Sequence, residues 1–200
     1  MKNQTNTDKQ SRLRAGGIAL FGNLHVMVIS ALLSALSIVL GKYLAINLGE
    51  SVRISFENLP VLMAGIFFGP VIGGVVGAVS DIVGCFMVGY ALNPIITAGA
   101  ALIGIVSGAI GMYGFKSHAD WRRTPRIFVP VMLAHVVGSM CVKTIGMMVY
   151  FGTPAAILFV RVPLYIVIGI LEGYVVMLLF NNKTFTGELN RIINKRKVQK

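Results

Sequence analysis

The sequence predicts an all-α integral membrane protein, a six-transmembrane-helix bundle with its N- and C-termini cytoplasmic. Three observations carry that expectation. Of the 18 Lys and Arg residues, 14 fall in three clusters: Lys2, Lys9, Arg12 and Arg14 precede the first apolar run, Lys116, Arg122, Arg123 and Arg126 share one central loop, and Lys183, Arg191, Lys195, Arg196, Lys197 and Lys200 follow the last run. Basic residues flanking long apolar runs mark the cytoplasmic side of a membrane. Composition agrees, with 56% hydrophobic and 12% charged residues, about half the charged share of a soluble domain. The apolar runs themselves approach or exceed the ~20 residues a helix needs to cross.

A formal net charge of +11 could indicate nucleic acid. Its confinement to tails and one loop beside apolar spans argues for orientation and attraction to anionic lipid heads instead. The 200 residues divide into a basic N-terminal tail (1–17), a membrane domain (18–180) and a basic C-terminal tail (181–200). The first apolar run, from about Gly17 to Ile46, is longer than the ~7–15 residues of a signal peptide core. Cys85 and Cys141 fall inside apolar runs and form no CxxC, so they read as small buried hydrophobes rather than a disulfide or metal site.

Six spans are expected in order. The first runs from about Ile18 to Ile46, and the second, a short one, from about Ile54 to Phe68. The third runs from Pro70 to Val88, the fourth from Pro94 to Phe115, the fifth from Ile127 to Tyr150 and the sixth from Pro154 to Phe180. Pro70, Pro94 and Pro154 stand at helix starts, where a missing N–H costs nothing. Pro60 and Pro163 are interior and predict kinks or breaks. Six spans with both tails inside also put the 116–126 loop inside. Of the opposite loops, those near 88–93 and 151–153 hold no Lys or Arg, and the one near 47–53 carries Glu50 and Arg53. A re-entrant hairpin over 54–88 satisfies the same charge pattern, because its turn near Gly69 and Pro70 carries no charge.

Small residues recur at every fourth position: Gly65, Gly69, Gly73 and Gly77; Ala100, Gly104 and Gly108; Gly169 and Gly173. That spacing lets helices approach closely, and internal packing accounts for it. The stripe of the first span, Ser30/Ser34 and Ala31/Ala35, points instead to a contact with another membrane subunit.

Ionisable residues inside a bilayer are costly and mark function. Here they are Glu57, Asp81, Lys143, Arg161 and Glu172, with His25 and His135. At ~1.5 Å per residue, Lys143, Arg161 and Glu57 share a level in the outer half, Asp81 lies near the middle and Glu172 deeper inside. This stacking predicts a pocket open to the outside. Internal pairing, Glu57 with Arg161 and Asp81 with Lys143, is the competing reading. Ser55-Phe56-Glu57-Asn58 and Asn93 open the second and fourth spans, where free N–H groups suit an anionic or carbonyl ligand or are simply capped by Ser55 and Asn93. His135 and Lys143, eight residues apart, share a helical face; His135 reads equally as pocket wall or as a structural histidine. No phosphate-binding GxxxxGK[ST], HExxH or GxSxG pattern occurs. The sequence therefore gives no catalytic residue, no metal set and no cofactor site.

The stretch Arg53-Ile54-Ser55-Phe56-Glu57-Asn58-Leu59-Pro60, with Met63-Ala64-Gly65-Ile66-Phe67-Phe68-Gly69-Pro70, then Gly73, Gly77 and Asp81, resembles a known family, and the run from Asn93 to Gly104 fits the same pattern. It is similar to the substrate-binding S components of energy-coupling factor (ECF) vitamin transporters, in the folate-type branch. The likeness covers about residues 24–180, and Ala31-Leu32-Leu33-Ser34-Ala35 matches the AxxxA motif by which S components dock on their coupling subunit. The resemblance implies a cell-membrane receptor for one vitamin, partnered by a transmembrane coupling subunit and two cytoplasmic ATPases, which topples in the membrane to release its cargo. Folate suits the charges. Its glutamate tail is a dianion for Arg53, Lys143 and Arg161, and its pterin donors suit Asp81, Asn58 and Asn93. Tyr90, Phe56 or Tyr165 would stack on its rings. A sister vitamin on the same scaffold, or an assembly subunit without a ligand, are the alternatives.

Overall fold

The protein is described by a computed structural model, covering residues 23–48, 52–114, 125–152 and 154–182, with positions 184 and 187. The Lys and Arg residues of the two tails and the loop bases Lys116, Arg122 and Arg123 lie outside the described residues, as do the side chains of Arg53 and Arg126. The chain forms a multi-pass bundle, and the described residues contain five helical stretches long and apolar enough to cross a membrane: Leu24–Tyr43, Pro70–Val88, Pro94–Met112, Ile127–Phe151 and Arg161–Asn181.

Helix α1, Leu24–Ile38, starts at Asn23, whose side chain accepts from the His25 amide. It runs on through a π-helical turn, Val39–Tyr43, and so stops short of the expected Ile46. Two three-residue strands come next, β1 (Ile46–Leu48) and β2 (Val52–Ile54), antiparallel with Ile46 opposite Ile54 and Asn47 opposite Arg53. Ile46 and Ile54, expected in helices, are therefore paired strand residues. Helix α2, Asn58–Phe68, is 11 residues long, about 16 Å at the α-helical rise, too short to cross a bilayer alone. Its apolar residues are buried on every side, with Val61, Leu62, Ala64, Ile66 and Phe68 all in the core, as expected of a helix hydrophobic all round. Pro60 sits in its first turn, where no hydrogen bond is lost, and causes no break.

Gly69 joins α2 to α3 (Pro70–Val88) with φ +95°, a conformation that costs glycine little and other residues more. Helix α4, Pro94–Ala109, continues into a π turn, Ile110–Gly114. The glycine stripes meet here. A Cβ on Gly73 would lie 2.6 Å from the Gly104 carbonyl oxygen, and one on Gly104 would collide with the Gly73 backbone. Gly65 and Gly108 close on the same seam, so these stripes serve packing inside the bundle.

Helix α5, Pro125–Ala134, passes through a π segment, His135–Val142, into α6, Lys143–Phe151. Helix α7, Ala155–Asn181, stays helical through Pro163. Gly169 and Gly173 face Met132 and Phe128 of α5, so the last small stripe is internal too. Ala31 and Ala35 of α1, by contrast, are exposed.

Candidate ligand-binding site

Four charged side chains converge at the end of the bundle where α1 stops and α2, α4 and α7 begin. Lys143 opens α6 and is buried; its Nζ donates to Glu57 Oε1 at 2.7 Å and to Asn58 Oδ1 at 3.3 Å. Asp81 of α3 accepts from Thr97 Oγ1 at 2.7 Å, and its other oxygen lies 3.9 Å from Lys42 Nζ. These four charges, with Ser37, Asn58 and Ser80, line one cavity of about 20 Å³. That holds about one water, far below the roughly 300–1,000 Å³ of a small-molecule site.

Local backbone explains why these residues meet. Lys42 and Lys143 both stand at π-helical turns, one within Val39–Tyr43 and the other just past His135–Val142. A π turn inserts a residue into the helical register and re-aims the side chains after it. Glu57 occupies the N-cap position of α2, but its side chain caps no amide, and its carboxylate turns to Lys143 instead. Ser55, the expected cap, does not hold that position.

The pairing differs from the one expected. Glu57 binds Lys143 rather than Arg161, and Asp81 faces Lys42 rather than Lys143. Lys42 joins the site without having been singled out from sequence, although it fell within the expected first span; an intramembrane lysine was the available signal. Arg161 is buried and donates to the Tyr165 hydroxyl at 3.0 Å and to Met147 sulfur. Its guanidinium also lies 5.3 Å from the Tyr165 ring centre, within cation–π range. Among the described residues no carboxylate lies within ion-pair reach of it.

The other expected site residues are spread more widely. Asn93 is buried; it caps α4 through the Ile95 and Ile96 amides and donates to the Gly146 carbonyl at 3.0 Å. Tyr90 is exposed, with Lys42 Nζ 5.8 Å from its ring centre. Phe56 is half-buried just before α2, and the Arg53 backbone lies in β2. His135 stands away from the cavity. It is fully buried, with Nε2 2.7 Å from Glu172 Oε2 and Nδ1 3.3 Å from Ser139 Oγ, and it ties the π segment to α7. The described residues contain no cluster of metal-ligating type. Ala31 lines a second, apolar cleft of about 180 Å³ between α1 and α3, beside Ser30, Ser34 and Val75.

Three comparisons bear on this geometry. A family model described as "ECF transporter, substrate-specific component" matches residues 25–180. The folate transporter FolT of Clostridium novyi (strain NT) is 29% identical over 143 residues, spanning 68% of this chain and 76% of that protein. A crystal structure of FolT bound with folic acid shares the fold, with a TM-score of 0.61 and 20% identity, over 76% of this chain and 88% of that one. With most of its length matched by the family model, the chain belongs to the substrate-specific components of ECF transporters, non-catalytic multi-pass membrane subunits of vitamin importers that work with transmembrane and ATPase subunits.

Proposed function

We propose that this subunit binds folate from outside the cell and delivers it through a coupling transmembrane protein and two cytoplasmic ATPases. The observation that carries the reading is Arg161. A buried guanidinium without an anion is expensive, and among the described residues its polar partners are a hydroxyl and a thioether. A ligand that brings carboxylates to this end of the bundle supplies what is missing, and an arginine can hold one bidentately. Folate's glutamate tail carries two. Lys143, about one turn before Met147, extends the same basic mouth, and Arg53 is the further candidate for the tail that the sequence offers. Asp81, fixed by Thr97, with Asn58 and Asn93, offers acceptors for a pterin ring, and Phe56, Tyr90 and Tyr165 offer aromatic faces. Glu57 completes the candidate set through Lys143, whereas His135, bound to Glu172 and Ser139, serves the bundle. The similarity to folate transporters supports the vitamin.

In this reading α2 completes a sixth, short crossing, both termini are cytoplasmic, and the basic tails (1–17 and 181–200) lie on the inner lipid face. The exposed Ala31 and Ala35 present the first helix to the coupling subunit. Extraction of the purified protein followed by mass spectrometry tests the assignment. A receptor of this kind carries a pterin through purification. A different vitamin in the extract would reassign the ligand.

A further inference from the structure

We infer that Lys42 is a positioning residue of this pocket: it holds the Asp81 carboxylate so that one oxygen stays open to a ring donor of the ligand, and Gly84 makes the room for it. The inference rests on the folate reading and adds two residues to the pterin end of that same site.

Lys42 does not behave as its place in the chain suggests. A lysine at the end of a span ordinarily carries its ammonium out to the interface. Here the side chain is only 8% exposed, and its Nζ lies 3.9 Å from Asp81 Oδ1. The same ammonium donates to Cys85 Sγ at 3.7 Å and sits 5.8 Å from the Tyr90 ring centre. Among the described residues it is the cation within ion-pair reach of Asp81, since Lys143 is turned to Glu57 and Asn58. Gly84 accounts for this course. It follows Asp81 by three residues and so shares its helical face. A Cβ there would lie 2.7 Å from Lys42 Cε and 3.3 Å from Lys42 Cγ. The lysine stem therefore lies against bare backbone of α3.

The two Asp81 oxygens are held differently. Oδ2 accepts from Thr97 Oγ1 at 2.7 Å. Oδ1 has the ammonium at 3.9 Å and the Cys85 thiol at 4.0 Å. The thiol is a weak donor, and the ammonium stands beyond the roughly 2.7–3.2 Å of a full hydrogen bond. At that separation Lys42 balances a buried charge that is costly when unpaired, yet it does not fill the acceptor. Oδ1 remains to take an N–H of a ligand ring, with the Tyr90 face beside it.

The test is calorimetric titration of folate into the purified, ligand-free full-length protein and into Lys42→Met, Asp81→Ala, the double variant and Gly84→Ala. Wild type comes first. Its failure to bind folate overturns the folate reading and this inference with it; every later outcome bears on this inference alone. Lys42→Met is expected to weaken folate about tenfold. The double variant should match Asp81→Ala within about threefold, because the lysine acts through the acid. A double variant restored towards wild type would reduce the pair to packing alone. One weaker than Asp81→Ala by about a further tenfold would make Lys42 a ligand contact in its own right. Either result overturns the inference, as does unchanged binding by Lys42→Met. Gly84→Ala crowds the lysine stem while leaving both charges in the chain, and alanine suits a helix better than glycine. It should weaken folate in the same direction with no fall in the melting temperature of the ligand-free protein. Full affinity in Gly84→Ala overturns the inference, whatever Lys42→Met does.

Discussion

Arg161 Nη2 donates to the Tyr165 hydroxyl at 3.0 Å, one turn along the same helix, and the guanidinium lies over the Tyr165 ring. The tyrosine orients the cation but does not neutralise it. In a membrane such an arrangement marks a function rather than a structural pair. Arg161→Ala is expected to weaken folate binding by about 2 kcal/mol, read by titration. Arg161→Lys should recover little, because an ammonium supplies neither the fork nor the stacking. Normal binding by both variants would move the anion site elsewhere.

Lys143 sits between Glu57 and Asn58 and lines the cavity. Lys143→Ala should cost stability as well as binding, since it removes the buried ammonium that Glu57 and Asn58 hold, at about 3 kcal/mol. The double variant Lys143→Ala/Glu57→Ala should recover part of that stability but none of the affinity. Recovered affinity in the double variant would mean that Lys143 serves Glu57 alone.

Asp81 is held by Thr97 and faces Lys42 across the cavity. Asp81→Ala should weaken folate by at least about 1 kcal/mol through loss of an acceptor. Thr97→Val, which releases one Asp81 oxygen without removing it, should have a smaller effect. Binding of a carboxylate-only fragment such as glutamate separates the two ends of the pocket. Asp81→Ala should leave it unchanged if the acid faces the pterin.

The buried His135–Glu172 pair links α7 to the π segment, and neither residue lines the cavity. Glu172→Ala or His135→Ala should lower stability by about 3 kcal/mol, measured by thermal unfolding in detergent. The double variant should cost less than the sum of the two single ones. Folate affinity at a temperature where both variants stay folded should change little for Glu172→Ala. A large loss of affinity there would bring this pair into the site.

Ala31 and Ala35 are exposed on α1. Replacing both by Leu should leave folate binding by the solitary subunit intact and impair copurification with the coupling subunit, since bulk blocks close helix approach. Unimpaired assembly would place that interface on another face.

Much of the bundle was legible because its signals are periodic. The four-residue spacing of Gly65 to Gly77 and of Ala100 to Gly108 anticipated a tight seam, and Gly73 against Gly104 supplies it. Pro70 and Pro94 marked helix starts, and both open helices in the structure. The three-residue strands were not legible, because so short a pairing has no period of its own. Charge partners were misassigned for a different reason. Counting residues along a span gives depth, and depth correctly put Glu57 level with Lys143. It does not give direction around the helix, and each residue that a π turn adds rotates the later side chains by about 100°. Two such turns precede or contain the cavity lysines. Lys42 was hidden by the same effect, and by lying at the end of a span where a lysine ordinarily reaches the interface.

The most direct measurement is calorimetric titration of folate into the purified, ligand-free wild-type protein, with Arg161→Ala alongside. Saturable one-to-one binding that Arg161→Ala weakens by an order of magnitude or more, about 1.4 kcal/mol, is the expected result. No heat at micromolar concentrations of folded wild-type protein would contradict the folate assignment and leave the family membership and the membrane fold in place.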